Sequence, residues 1–149
     1  MTRTSDSIRV SRRIQAKRAK VFEAWTRPEK MGWFCPEDMK IVSANSDVRV
    51  GGKYRASMQG ADGRVYTCFG TYKGIVPDEK VSFTHSWEGE NPVETLVVVR
   101  LEDRDGGTEV TVTQEGFAEP DEAKGHEGGW TSTLAHLAKQ FPTQGAKER

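Results

Sequence analysis

The segment that decides the fold is "GHEGGWTSTLAHLAKQF", residues 125–141. On a helix turning about 100° per residue, its large apolar side chains share one stripe: Trp130, Leu134, Leu137 and Phe141. Three polar side chains lie on the opposite side: Ser132, His136 and Lys139. We therefore predict a helix that packs on the rest of the chain through one face, with His136 exposed on the far side.

The same segment places Gly128 and Gly129 directly before Trp130. Glycine is a poor helix former, so the pair needs an explanation. One interpretation is that the missing Cβ atoms let the start of the helix approach a bound molecule or a crossing strand. The other is that the two glycines form a loop just before the helix.

The rest of the chain reads as one strand, two short helices and six further strands. Apolar residues alternate in "SIRVSRRI" (7–14), and a helical stripe follows in residues 16–34, where Pro28 begins a second, short helix. Six strands separated by turn signals come next: 39–42, 48–58, 64–76, 80–87, 94–103 and 107–116. Short turns between consecutive strands predict an antiparallel sheet, and the terminal helix is the large element able to cover one face.

Alternation along these strands predicts which side chains face the helix. The inward set comprises Tyr54, Ala56, Met58, Val81, Phe83, His85, Trp87, Val97, Val99, Leu101, Val110, Val112 and Gln114. Large aromatic residues, methionine and histidine beside small residues and valines are common in sheets that form cavities and equally common in dry cores. The pattern therefore gives the buried face and leaves its remaining volume open.

The composition is that of an ordinary globular domain. The chain has 149 residues, 30% of them charged and a formal net charge of zero, which predicts one domain with a core at about 7–141 and a disordered polar tail at 142–149. Cys35 and Cys68 are too few for a disulfide framework, so we expect reduced thiols. The N-terminus has no apolar signal core, which predicts a cytoplasmic protein, and nothing in the charge balance indicates nucleic acid or a membrane as partner.

Several segments, in the same order, resemble one family. They are "AKRAKVFEAWTRPEKMGWFCP", "GGKYRASMQGADGRVYTCFGTYKGIVPDEKVSFTHSW", "GTEVTVTQEGF" and "GHEGGWTSTLAHLAKQF". Together they resemble the single-domain bacterial proteins related to the activator of the ninety-kilodalton heat-shock chaperone's ATPase, within the START-like (SRPBCC) superfamily. The resemblance implies a helix-grip fold of class α+β. In it a curved seven-stranded antiparallel sheet grips the C-terminal helix, with an apolar cavity between them. Related bacterial members often have a histidine where Gln114 stands.

His85 is the most informative single residue because it lies between Phe83 and Trp87 on the inward face. It could contact the polar group of a ligand, or donate a proton inside an apolar cavity. Alternatively, it is a core histidine bonded to a neighbouring strand or to buried water. Catalysis would need a second converging polar group, and the sequence shows no convincing partner.

Other candidates also have two interpretations. In this fold Trp25, Trp33 and Phe34 cap one end of the cavity, as a gate or as a plug of the core, and Trp33 is the better gate candidate. Cys68 reads as a small buried hydrophobe, and His126 belongs to the helix entry. No ligand spacing suits a metal, and the sequence predicts neither a metal nor another cofactor.

The sequence therefore predicts a protein that binds a small apolar or amphipathic molecule between sheet and helix and carries no catalytic residues. The predicted ligand-binding residues are Trp33, Tyr54, Met58, Phe69, Phe83, His85, Trp87, Val97, Val99, Val112, Gln114, Trp130 and Leu134. One alternative is an interaction module whose partner is a chaperone or a second copy of the chain, which an exposed apolar patch at Trp33 and Phe34 would support. Another is a cyclase- or hydrolase-type enzyme.

Overall fold

A computed structural model describes residues 6–89 and 92–141. Its helices are α1 (Arg18–Thr26), a 3₁₀ helix (Pro28–Trp33) and α2 (Pro120–Ala138). Its strands are β1 (Asp6–Ile14), β2 (Lys40–Ser46), β3 (Lys53–Gln59), β4 (Val65–Val76), β5 (Lys80–Trp87), β6 (Thr95–Arg104) and β7 (Gly107–Phe117). The polar tail predicted at 142–149 lies outside the described residues.

The seven strands form one antiparallel sheet in the order β1-β7-β6-β5-β4-β3-β2. The predicted α+β helix-grip architecture is confirmed. The first strand pairs with the last, and Val10 stands opposite Val112. On the outer side of this ladder Arg13 lies opposite Glu109 in the register, but Arg13 forms an ion pair with Asp105, and Glu109 forms one with Arg104.

Helix α2 begins earlier than the apolar stripe indicated. It starts at Pro120 because proline suits the first turn of a helix, and Asp121 and Glu122 place negative charge near the N-terminal end of its dipole. Gly128 and Gly129 are therefore inside the helix, and the loop interpretation is wrong. A Cβ atom on either glycine would meet nothing within 4 Å, so no crossing strand explains them either.

The polar side of α2 is covered by the segment that follows the 3₁₀ helix. The Glu37 backbone N–H donates to Ser132 Oγ at 2.9 Å, and the Glu37 carboxylate lies 2.6 Å from Lys139 Nζ. His136 Nδ1 donates to the Cys35 carbonyl at 2.9 Å, so His136 is half-buried and its predicted exposure is wrong. This segment holds α2 from the side opposite the sheet.

One end of the concave face of the sheet is filled by its own aromatic side chains. Tyr54, Tyr72 and Phe83 pack with ring centroids 5.2–6.1 Å apart. The Tyr54 hydroxyl donates to the Thr84 carbonyl at 2.9 Å. Gly70 makes this possible, because a Cβ there would overlap the Thr84 carbonyl and lie 2.8 Å from the Tyr54 ring. This part of the sheet is therefore a closed core.

We predict that Gly70→Ala lowers the free energy of unfolding by about 2–4 kcal/mol, since the added methyl group must displace either backbone or the Tyr54 ring. Urea denaturation measures the change. Gly32→Ala is the control, because a Cβ at Gly32 meets nothing within 4 Å and should change stability by less than about 1 kcal/mol. Equal effects of the two substitutions would contradict the packing described for Tyr54.

Candidate functional site

A pocket of about 490 Å³ lies at the other end of the concave face, between α2 and strands β3 to β5. Its volume is within the range of small-molecule sites. The lining residues are mostly apolar: Phe34, Pro36, Met39, Met58, Tyr66, His85, Trp87, Glu122, Gly125, His126, Gly129, Trp130 and Thr133. The pocket exists because α2 packs on β1, β7 and the 3₁₀ helix, which leaves the inward side chains of β3 to β5 uncovered.

The structure brings four of the predicted ligand-binding residues together at this pocket: Met58, His85, Trp87 and Trp130. Seven others are buried away from it: Tyr54, Phe83, Val97, Val99, Val112, Gln114 and Leu134. Phe69 is half-buried on the opposite face of the sheet, opposite Arg55 and Ser86, so its predicted inward placement is wrong.

Trp33 is the thirteenth predicted residue, and it is part of the core. It is 0% exposed, and its indole N–H donates to the Ala24 carbonyl at 3.1 Å. Its ring packs edge-on against Trp25 at a centroid distance of 4.6 Å. Trp33 is therefore a plug, which contradicts the gate interpretation. Since Phe34 is only 5% exposed, the two residues form no exposed apolar patch either.

Most of the lining residues outside the predicted ligand-binding set come from α2 and from the segment before β2. Glu122, Gly125, His126, Gly129 and Thr133 recur at helical spacing and share the pocket side of α2 with Trp130. Four of these five residues lie in segment 125–141, so the signal is present in the sequence, but glycine, histidine and threonine are not selected by an apolar stripe. Phe34, Pro36, Met39 and Tyr66 carry no comparable pattern.

A chain of buried hydrogen bonds fixes α2 to the sheet beside the pocket. The Trp130 indole N–H donates to Gln114 Oε1 at 2.7 Å. The Gln114 amide donates to Thr95 Oγ1 at 2.8 Å, and the Thr95 hydroxyl donates to the His85 carbonyl at 2.8 Å. Gln114 is 0% exposed, so both ends of its amide are satisfied without water. The chain thus connects α2, β7, β6 and β5.

We predict that Gln114→Leu lowers the free energy of unfolding by about 2–3 kcal/mol, because it leaves the buried indole N–H of Trp130 without an acceptor. Trp130→Phe removes that N–H, so the double variant should recover part of the loss. The coupling free energy measured by urea denaturation should be about 1–3 kcal/mol. Strictly additive effects would contradict the hydrogen-bond chain.

His85 faces the pocket with an unusual degree of burial. His85 is 5% exposed. Its ring packs edge-on against Trp87 at a centroid distance of 5.2 Å and against His126 at a centroid distance of 5.9 Å. Its ring nitrogens have no hydrogen-bond partner among the described residues and are not fully enclosed, since the ring borders this pocket and a smaller adjoining one. The backbone carbonyl of His85 accepts from Thr95. Burial lowers the pKa of His85 to about 3, with a further contribution from His126, so the imidazole is neutral at pH 7.

His126 is held by two hydrogen bonds at the same wall of the pocket. The Trp87 indole N–H donates to His126 Nε2 at 2.9 Å, and His126 Nδ1 donates to the Glu122 carbonyl at 2.9 Å. This arrangement places the proton on Nδ1. His126 is therefore the converging polar group that the sequence interpretation did not find for His85, although its own ring nitrogens are already paired.

We predict that His85 makes stability fall with acidification. The unfolded chain takes up a proton at His85 below about pH 6.5, whereas the folded chain does not until about pH 3, so lowering the pH favours the unfolded state. Between pH 7 and pH 4.5 the unmodified protein should lose about 2–3 kcal/mol more unfolding free energy than His85→Leu. Parallel stability profiles would show that His85 is not buried in the neutral form.

Other chemistry is limited within the described residues. No group of three or more His, Cys, Asp or Glu side chains there could hold a metal ion. Burial raises the pKa of Cys35 to about 11 and that of Cys68 to about 12, so neither thiol ionises readily. No helix in the described ranges has the length and apolar character needed to cross a membrane.

The family described as "Activator of Hsp90 ATPase homolog 1-like protein" matches residues 15–141. The chain belongs to this family. The resemblance predicted from the sequence segments is thereby confirmed, and the seven-stranded sheet with its C-terminal helix agrees with it. No curated protein matches the sequence.

Solved bacterial structures have the same fold. The AHSA1 protein SPO3351 from Silicibacter pomeroyi has a TM-score of 0.79 at 22% identity, over 91% of this chain and 96% of that one. Mll3558 from Rhizobium loti has a TM-score of 0.77 at 26% identity, over 92% of this chain and 97% of that one. CV1439 from Chromobacterium violaceum has a TM-score of 0.75 at 26% identity, over 91% of this chain and 97% of that one.

Proposed function

We propose that this protein binds a small hydrophobic or amphipathic molecule in the pocket between α2 and strands β3 to β5. The observation that carries the proposal is that the α2 surface facing the pocket contains two glycines. Gly125 and Gly129 line the pocket from inside α2, where each glycine costs about 0.5–1 kcal/mol relative to alanine. A Cβ atom at either position would meet nothing within 4 Å, so there is room at both positions for a residue larger than glycine. A site that must stay open explains the glycines.

The opposite wall supports the same proposal. Met58, Tyr66 and Trp87 offer apolar and aromatic surface. Burying a ligand against them would supply affinity at about 25 cal/mol per Å², before the cost of association is subtracted. With the aromatic cluster at the other end of the sheet already filled, the concave face offers this space to a guest.

The competing functions have less support. A chaperone partner is suggested by the family description, but the patch expected for it at Trp33 and Phe34 is buried. The same burial removes the patch expected for a second copy of the chain. An enzyme would need an acid or base placed to work with His85. The ring nitrogens of His126 are engaged, and the Glu122 carboxylate is exposed at the rim of the pocket. The cytoplasmic location stays a prediction from the N-terminal sequence.

Native mass spectrometry of the purified protein, compared with its denatured mass, tests the proposal directly. We expect a fraction of the protein to carry extra mass that is released on denaturation and can be extracted and identified. A bare mass should be followed by titration with hexylbenzene. Absence of both a guest and hexylbenzene binding would contradict the proposal.

We predict that Gly129→Leu abolishes guest binding, because its side chain projects into the pocket, while folding is preserved. Gly128→Leu is the matched control. Gly128 is the neighbouring residue inside the same helix, and a Cβ atom there also meets nothing within 4 Å, but Gly128 does not line the pocket. Hexylbenzene affinity, measured by the fluorescence of Trp87 and Trp130, should fall more than tenfold in the first variant only. Equal losses would place the guest elsewhere.

A further inference from the structure

We propose that the guest is an uncharged hydrophobic molecule carrying a hydroxyl or carbonyl group that hydrogen-bonds to the ring of His85, and that carboxylates are rejected. This inference rests on the proposed function and adds the chemistry of the polar group. Three features carry it: an unpartnered imidazole deep in the pocket, the neutral state of that imidazole, and the sign of the charge at the pocket rim.

The ring of His85 has no hydrogen-bond partner among the described residues, and its nitrogens are not fully enclosed: the enclosed side-chain atoms without a partner there are Trp25 Nε1 and Ser46 Oγ. The ring therefore borders open space, which is this pocket and a smaller adjoining one of about 110 Å³. A neutral imidazole has one N–H donor and one acceptor nitrogen. A polar group on a guest in the larger pocket is therefore placed to pair with it.

The ring selects for an uncharged partner. Burial keeps His85 neutral, so it offers a carboxylate no positive charge to compensate for lost hydration. A hydroxyl can both donate to the acceptor nitrogen and accept from the N–H, and a carbonyl can accept. Either group pairs with the neutral ring at a small desolvation cost.

The rim adds electrostatic discrimination. Glu122 is the charged side chain of the lining, and it is exposed at the first turn of α2. Among the described residues, no lysine or arginine lines the pocket. An anionic guest would therefore lie near a carboxylate without a compensating cation, which disfavours it further. An ammonium group could pair with Glu122 only at the rim, where water weakens the interaction.

The test uses four probes that share a hexylphenyl body: hexylbenzene, 4-hexylphenol, 4-hexylbenzoate and 4-hexylbenzylamine. Dissociation constants are measured at pH 7 by calorimetry and by the fluorescence of Trp87 and Trp130. A net hydrogen bond corresponds to about threefold to tenfold in affinity, so 4-hexylphenol should bind that much tighter than hexylbenzene. We expect 4-hexylbenzoate to bind at least about tenfold more weakly than 4-hexylphenol, and the amine to bind no tighter than the phenol.

Two variants separate the contributions. His85→Leu should remove the advantage of 4-hexylphenol and leave hexylbenzene affinity within about twofold, because only the hydrogen bond is lost. Glu122→Gln should strengthen 4-hexylbenzoate binding without changing that of hexylbenzene. Glu127→Gln is the control, since Glu127 is exposed on the same helix and does not line the pocket.

The outcomes distinguish this inference from the proposed function. Tightest binding by 4-hexylbenzoate or by 4-hexylbenzylamine would overturn the assignment of an uncharged guest. Equal affinities of 4-hexylphenol and hexylbenzene, or a phenol preference that survives His85→Leu, would overturn the role of His85. In each of these cases, hexylbenzene binding that Gly129→Leu blocks would leave the proposed function standing. Failure of all four probes, in a protein that also carries no guest in native mass spectrometry, would overturn both.

Discussion

The buried amide of Gln114 is the constraint on which the rest of the structure depends. It accepts a hydrogen bond from Trp130 on α2 and donates one to Thr95 on β6, whose hydroxyl donates in turn to the His85 carbonyl on β5. Each of these groups is buried, so breaking one bond leaves a polar atom unpaired in a medium without water. The helix therefore has one position and one rotation relative to the sheet. That position decides what the two surfaces enclose.

Fixing α2 at Trp130 leaves a space beside it. Toward β1 and β7 the helix is packed closely, with Leu134 and Leu137 fully buried. Toward β3 to β5 its surface is made by Gly125 and Gly129, and apart from the hydrogen bond between Trp87 and His126 a space separates it from the sheet. The fold is thus a dry core on one side of the helix axis and a pocket on the other.

The sequence predicted the fold better than the site, for physical reasons. Period-two and helical patterns report which face of an element is buried, and they gave the order of helices and strands along the chain correctly. They do not report the distance between helix and sheet. Val99, which is in the closed core, and Trp87, which lines the pocket, were therefore both predicted to line the cavity. Phe69 was misplaced because β4 is apolar on both faces, with Tyr66 and Cys68 inward and Phe69 outward. Glu122 and His126 were missed because the apolar stripe of α2 begins only at Trp130.

Hydrogen exchange at the Trp130 indole N–H, followed by NMR on protein labelled with ¹⁵N, tests most directly whether the Gln114 chain holds the helix. This proton should exchange only when the whole protein unfolds, with an opening free energy equal to the global one. The Trp87 indole N–H, bonded to half-buried His126, should exchange faster. Rapid exchange at Trp130 in the folded protein would show that the Gln114 chain does not hold the helix, which would then be free to close the pocket.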